Sequence, residues 1–202
     1  MNKKDLDRFA RVEQQIIEQG NTLRLSQLHD FPYKTLDELK AAHRNKYIVF
    51  GSDYSGDFLQ VIGTTADNVI HMFWISLPII IIIVDIVLAI MLKKWILLWG
   101  ILFALIGFFS SSPYNSLKEP ISGLGTLFFI ASFFFLDWTW SVLIGSMLFS
   151  QIFAMTAREQ YRSVVEERGL QSEIFFCYML KTKHLLVKDT KTNKVYQTTS
   201  EG

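Results

Sequence analysis

Residues 72–92, MFWISLPIIIIIVDIVLAIML, decide the fold of this 202-residue chain. They form an apolar run with a single charge, and about 20 such residues span the hydrocarbon of a bilayer. At about 1.5 Å per residue the run reaches about 31 Å. It opens a longer block, Met72 to Met155, that holds only six charged side chains: Asp85, Lys93, Lys94, Lys118, Glu119 and Asp137. No soluble core needs so long an uncharged tract, so the chain reads as an integral membrane protein.

The block divides where its polar residues fall. After the first run, with Pro78 kinking its second turn, Lys93-Lys94-Trp95 makes a tight turn with an interfacial aromatic. A second run, Trp95 to Phe109, closes at Ser110-Ser111, and a polar loop leads to Pro120. Ile121 to Leu136 and Trp138 to Met155 follow, with Asp137-Trp138-Thr139-Trp140 as a hairpin tip at headgroup depth, where tryptophan is favoured. The expected spans are residues 72–92, 95–111, 121–136 and 138–155, arranged as two transmembrane helical hairpins. The second and third runs are short, at about 23 to 24 Å, and need local thinning or helix ends drawn into polar residues. A three-span alternative has one long tilted helix over part of Ile121 to Met155, which puts the termini on opposite sides. With four spans, Lys118, Arg158, Arg162 and Arg168 share the side of the termini against Lys93 and Lys94, and the positive-inside rule makes both termini cytoplasmic.

Outside the block the chain is ordinary water-soluble sequence. Residues 1–70 carry 9 basic and 10 acidic side chains and residues 156–202 carry 8 and 6, so no strong field points to nucleic acid. The first twenty residues are charged throughout and do not read as a signal peptide. Leu6, Phe9, Val12, Ile16 and Ile17 predict an amphipathic helix over residues 4–19, stopped by Gly20-Asn21. Thr35-Leu36-Asp37-Glu38 is a capping box opening a second helix to about Asn45. Tyr47 to Phe50 and Phe58 to Ile62 are β-rich runs joined by the turn-forming stretch 51–57, and together predict a hairpin. Thr156 to Gly169 extends the last span as a charged helix. Beyond it, Glu173 to Lys181, His184 to Lys188 and Lys194 to Thr198 predict two or three strands. Neither flank has much apolar surface of its own, and small hairpins are marginal in water, so the two are expected to pair. The fold class is thus a membrane α-helical bundle, residues 71–155, with a small cytoplasmic α+β module built from 1–70 and 156–202.

Residues that could carry chemistry are few. Asp85 stands amid isoleucines and valines, where a charge costs about 2.5 to 3.5 kcal/mol, so it must face protein or water. It is either a protonatable site in an ion path or a protonated acid hydrogen-bonded to a neighbouring helix. Small residues recur at a spacing of four in Gly100 and Ala104, Ser141 and Gly145, and Ser146 and Ser150, faces along which helices pack within one chain or between copies. The lone Cys177 lies in an apolar run and excludes an internal disulfide and any cysteine-based zinc site. The four histidines have no ligand spacing, with His71 read as interfacial, and the 51–57 loop lacks both EF-hand and P-loop patterns. No nucleophile elbow or paired intramembrane carboxylates occur, so no catalytic residue, metal or cofactor is expected.

These readings predict a non-enzymatic inner-membrane protein acting through protein–protein interaction, in a binding, regulatory, or exclusion, immunity or defence role. Its partners are the lipid bilayer and other membrane or cytoplasmic proteins, including a possible homo-oligomer, with no nucleic acid. The alternative is an oligomeric channel or ion-coupled sensor with Asp85 in the path. A membrane enzyme is least favoured, because only Asp137 and scattered serines reach the interface.

Overall fold

The computed structural model describes residues 3–28, 30–52, 55–111 and 118–196, and the chain is mostly helical. It divides into two compact units: residues 1–68 with 160–202, and residues 69–159.

In the first unit α1 (Lys3–Glu18) ends where Gly20 takes a positive φ of 79°, a left-handed stop that suits glycine. A 3₁₀ turn (Leu25–Gln27) leads to α2 (Leu36–Arg44). The Thr35 hydroxyl accepts from the Glu38 amide at 3.3 Å, as the capping box requires. The Glu38 carboxylate accepts instead from the Lys34 amide, one residue beyond the expected position, at 2.8 Å. Strand β1 (Ile48–Gly51) follows, and then the structure departs from the sequence reading. The stretch expected as the second hairpin strand is helix α3 (Gly56–Ile62), capped by the Ser55 hydroxyl accepting from the Phe58 amide. Phe58, Leu59 and Ile62 are buried and Gln60 and Val61 are exposed, a helical spacing that outweighs the β-propensity of the residues. Part of the expected turn, Asp53 and Tyr54, lies outside the described residues.

β1 pairs with the other end of the chain. Strand β2 (Leu186–Asp189) runs antiparallel to it with Ile48 opposite Asp189 and Phe50 opposite Val187, and β3 (Val195–Tyr196) adds to the far side of β2. The run expected as a strand over Glu173 to Lys181 is helix α8 (Glu173–Lys181), whose cap Ser172 accepts from the Phe175 amide at 3.3 Å. Phe175, Phe176, Cys177, Met179 and Leu180 are all buried, so α8 is apolar around most of its girth and shows little amphipathic periodicity. The core gathers rings from both ends of the chain. Phe176 lies 6.1 Å from Phe31 and 6.0 Å from Phe50, and Phe175 lies 5.2 Å from Phe9 and 6.4 Å from Phe58. Arg168, nearly buried, pairs with Asp67 at 3.5 Å, and His43 with Glu166 at 2.7 Å. Cys177 is fully buried, and loss of solvent, with Glu173 nearby, pushes its thiol up to about 12.

The second unit is helical. Helix α4 (Thr65–Met91) contains Pro78 without ending there. A turn with Lys93 at φ 52° leads into a 3₁₀ turn (Trp95–Leu98) continued by α5 (Trp99–Ser110). Then come α6 (Lys118–Phe135) and α7 (Trp138–Gly169). Two helices, α4 and α7, are long and apolar enough to cross a membrane, while Trp95–Ser110 and Ile121–Phe135 are shorter apolar helices. α6 and α7 are distinct helices, broken at Leu136 and Asp137.

Candidate functional site

Asp85 sits in the last third of α4, six residues before its end at Met91, and is 1% exposed. Two residues make room for it. A β-carbon on Gly100 of α5 would collide with Asp85 Oδ2, so only glycine lets α5 close over the carboxyl. From α7, the Ser146 side chain is hydrogen-bonded to Asp85. The Ser146 hydroxyl also donates to the Val142 carbonyl one turn back at 2.9 Å. The one hydroxyl thus stands between a carboxyl oxygen of Asp85 and the backbone of its own helix. The other oxygen, Oδ2, is buried and has no hydrogen-bond partner.

Next to this node lies a cavity of about 510 Å³ between α4, α6 and α7. Its wall is apolar, with Val84, Phe129, Phe133, Trp138 and Phe149 prominent, and Asp85, Ser141 and Ser146 supply its polar atoms. Ser141 is fixed from α6, where the Ser132 hydroxyl lies 2.8 Å from its own. Such a lining, mostly apolar with a few convergent polar groups, is the usual make-up of a small-molecule site.

The structure therefore brings Asp85, Gly100, Ser141, Gly145 and Ser146 into one neighbourhood, Gly145 lying against the Phe129 ring. Ala104 and Ser150 are buried without lining the cavity, and the Ser150 hydroxyl has no hydrogen-bond partner. Two contributors escape the sequence reading. Gly107 continues the Gly100-Ala104 face by a further turn, and a β-carbon there would strike the Met147 carbonyl of α7. Ser132 was visible only as one more serine among phenylalanines. His71, expected at the membrane edge, is buried within the protein, with its ring bonded to the Ala157 backbone.

At the end of this unit, Lys94 Nζ lies 3.3 Å from Asp137 Oδ1, 3.1 Å from the Thr139 hydroxyl and 4.6 Å above the Trp138 ring. Asp137 is held below the usual carboxylate range first by the Thr139 hydroxyl and amide, and less by Lys94. Among the described residues no three His, Cys, Asp or Glu side chains could hold a metal ion together. In the comparisons with known proteins, the chain matches no family model, no curated protein and no solved structure.

Proposed function

We propose that the chain is a non-enzymatic inner-membrane protein with four spans and both termini cytoplasmic, which works by binding another protein through the unit that joins its two ends. The observation that carries the topology is the pairing of β1 with β2. Strands that share a sheet lie on one side of a bilayer, so an even number of crossings must separate Gly51 from Leu186. Membrane placement is supported by α4, whose apolar window is only 17% buried in the protein, leaving its isoleucines and valines without a protein cover. The short second run gains length from its 3₁₀ turn, which rises faster per residue, so Trp95–Ser110 reaches about 26 Å. α6, at 18 residues, reaches about 27 Å. Both approach the hydrocarbon thickness of a thinner bilayer.

The partner-binding face is the outer side of the sheet. Val49 stands opposite Lys188, and Lys188 opposite Val195, with Val49 and Val195 both exposed. Tyr47 extends the row, with Lys191 Nζ 4.3 Å above its ring. Lys188 between two exposed valines, with Lys191 and Lys194 at the ends of the row, suits a protein surface that pairs a buried acidic side chain with apolar neighbours, a combination that steers encounter by charge and holds by burial. Deleting residues 1–70 would strip β2 of its partner and unfold both ends, so the test leaves the fold intact. A photoreactive residue at Val49 should give a discrete protein adduct in intact membranes, lost when Lys188 and Lys191 become Glu. Absence of any discrete adduct sinks the partner reading. A reporter after Gly202 and another near Lys93 test the topology, expected cytoplasmic and external respectively.

A second reading is favoured by the orphan Oδ2 of Asp85: an oligomeric channel or ion-coupled sensor with this carboxyl in the path. It requires Asp85→Asn to change proton or ion flux in liposomes without altering assembly. A wild-type protein that passes no ions removes it.

A further inference from the structure

We infer that the cavity between α4, α6 and α7 is a binding site for a lipophilic molecule with one hydrogen-bond-donating head, seated with its head at Asp85 and its apolar body along Phe129, Phe133, Trp138 and Phe149. The volume, about 510 Å³, falls inside the range of roughly 300 to 1,000 Å³ typical of small-molecule sites. Val84 and Trp138 on its rim are themselves exposed, so an apolar molecule can enter from the side of the bundle.

The preference for a donor head follows from the polar inventory. Asp85 Oδ2 is buried without a hydrogen-bond partner, and in the carboxylate form it can only accept. A buried acceptor left unmatched is costly, so a head that donates to it is bound more tightly than one that cannot. Rotation about χ2, a broad torsion in aspartate, turns the whole carboxyl from Gly100 toward the cavity wall that Asp85 already lines, exchanging its Ser146 contact for a bond to the head. Long-chain alcohols and alkylammonium ions share this chemistry.

The inference rests on the membrane placement of the helical unit and is independent of the protein-partner reading. The test uses the full chain in nanodiscs and two probes, a brominated long-chain alcohol and its methyl ether, which differ only in the donor. With Trp74, Trp95, Trp99 and Trp140 changed to Phe, bromine quenching of the remaining Trp138 should saturate with the alcohol, and the ether should bind about tenfold more weakly, the worth of one hydrogen bond to a buried acceptor. The matching brominated alkylammonium distinguishes the two head types, and tighter binding than the alcohol identifies a charged Asp85. On the chain with all five tryptophans, the alcohol should raise the Tm at about one tenth of the ether concentration that gives the same shift, which covers the case in which the quenching variant fails to fold. Val84→Phe, a change at an exposed rim position that adds no fluorophore, should weaken saturable binding at least about tenfold. Equal affinity for alcohol and ether overturns the role of Asp85, and quenching that never saturates overturns the site. If alkaline carbonate strips the protein from membranes, it is the membrane reading that fails. A protein that stays in the membrane and shows no saturable quenching fails this inference alone.

Discussion

Lys94 Nζ and Asp137 Oδ1, 43 positions apart in sequence, lie 3.3 Å apart in the helical unit. Their contact joins the turn after α4 to the turn between α6 and α7, so these two polar breaks stand at one end of the bundle. Each break is visible in the sequence as an interruption of apolar residues. That the two meet is a property of the packing, because Lys94 must reach past its own turn to the Trp138 ring and the Thr139 hydroxyl. Both partners are substantially exposed, so their attraction is screened and the pair orients the turns more than it stabilises them.

The depressed carboxyl of Asp137 makes a pH prediction with a definite sign. A group whose folded pKa lies below its unfolded value adds stability above the ordinary carboxyl range, and that stability is lost as pH falls through the folded value. Asp137→Asn should therefore lower the Tm of the purified protein near neutral pH and have no effect in strong acid. A difference that persists unchanged in acid would show that the Thr139 contacts act without the charge.

Gly100→Ala should destabilise the helical unit by about 1 to 3 kcal/mol, the usual cost of overpacking. The clash is with a side chain, so Asp85→Ala in the same chain should remove most of that penalty. Gly107→Ala meets the Met147 backbone carbonyl and should not be relieved by any change at Asp85. A double-mutant cycle read by thermal unfolding in detergent checks both, and additivity at Gly100 and Asp85 would mean the helices do not approach as described.

Cys177 should resist thiol reagents while the protein is folded. With its thiol pushed up to about 12 and its side chain fully buried, native labelling at neutral pH should be slower than in denaturant by about a thousandfold or more. Mass spectrometry after timed maleimide exposure reads the ratio. Comparable rates would place α8 outside the core.

Phe176→Ala should cost about 3 to 5 kcal/mol, since the ring is fully buried among others. Because it touches Phe31 and Phe50 from the opposite end of the chain, the damage should reach both ends at once. Limited proteolysis should then cut near α2 and near β2 with the same kinetics. Cleavage confined to the tail would show that residues 1–68 hold together without it.

Much of the chain was legible because its signals are local. The Gly20 stop, the Thr35 cap and the polar breaks of the apolar block each act within a few residues, and each marks a boundary in the structure. Phe58 to Ile62 and Glu173 to Lys181 misled because short runs of β-branched and aromatic residues fit a buried strand as well as a buried helix. In both, the deciding clue was a serine one turn before, Ser55 and Ser172, whose hydroxyl ties down a free helical amide. The β1 partner was concealed for a different reason. A strand's propensity says nothing about which strand it will meet, and the nearest β-rich run was a helix in disguise. Asp85 was conspicuous in the sequence, but its neighbours were not, since nothing in the spacing of Gly100 or Ser146 aims them at α4.

The antiparallel register of Ile48 with Asp189 also sets a timetable. Synthesis at about 5 to 20 residues per second puts about 7 to 30 s between the emergence of one strand and the other. Through that interval Ile48 and Phe50 are an apolar edge awaiting its complement, while the helical stretch between them is made. The closed sheet is thus a mark of completion: a molecule that has not brought β2 back to β1 keeps the same open edge as an unfinished chain.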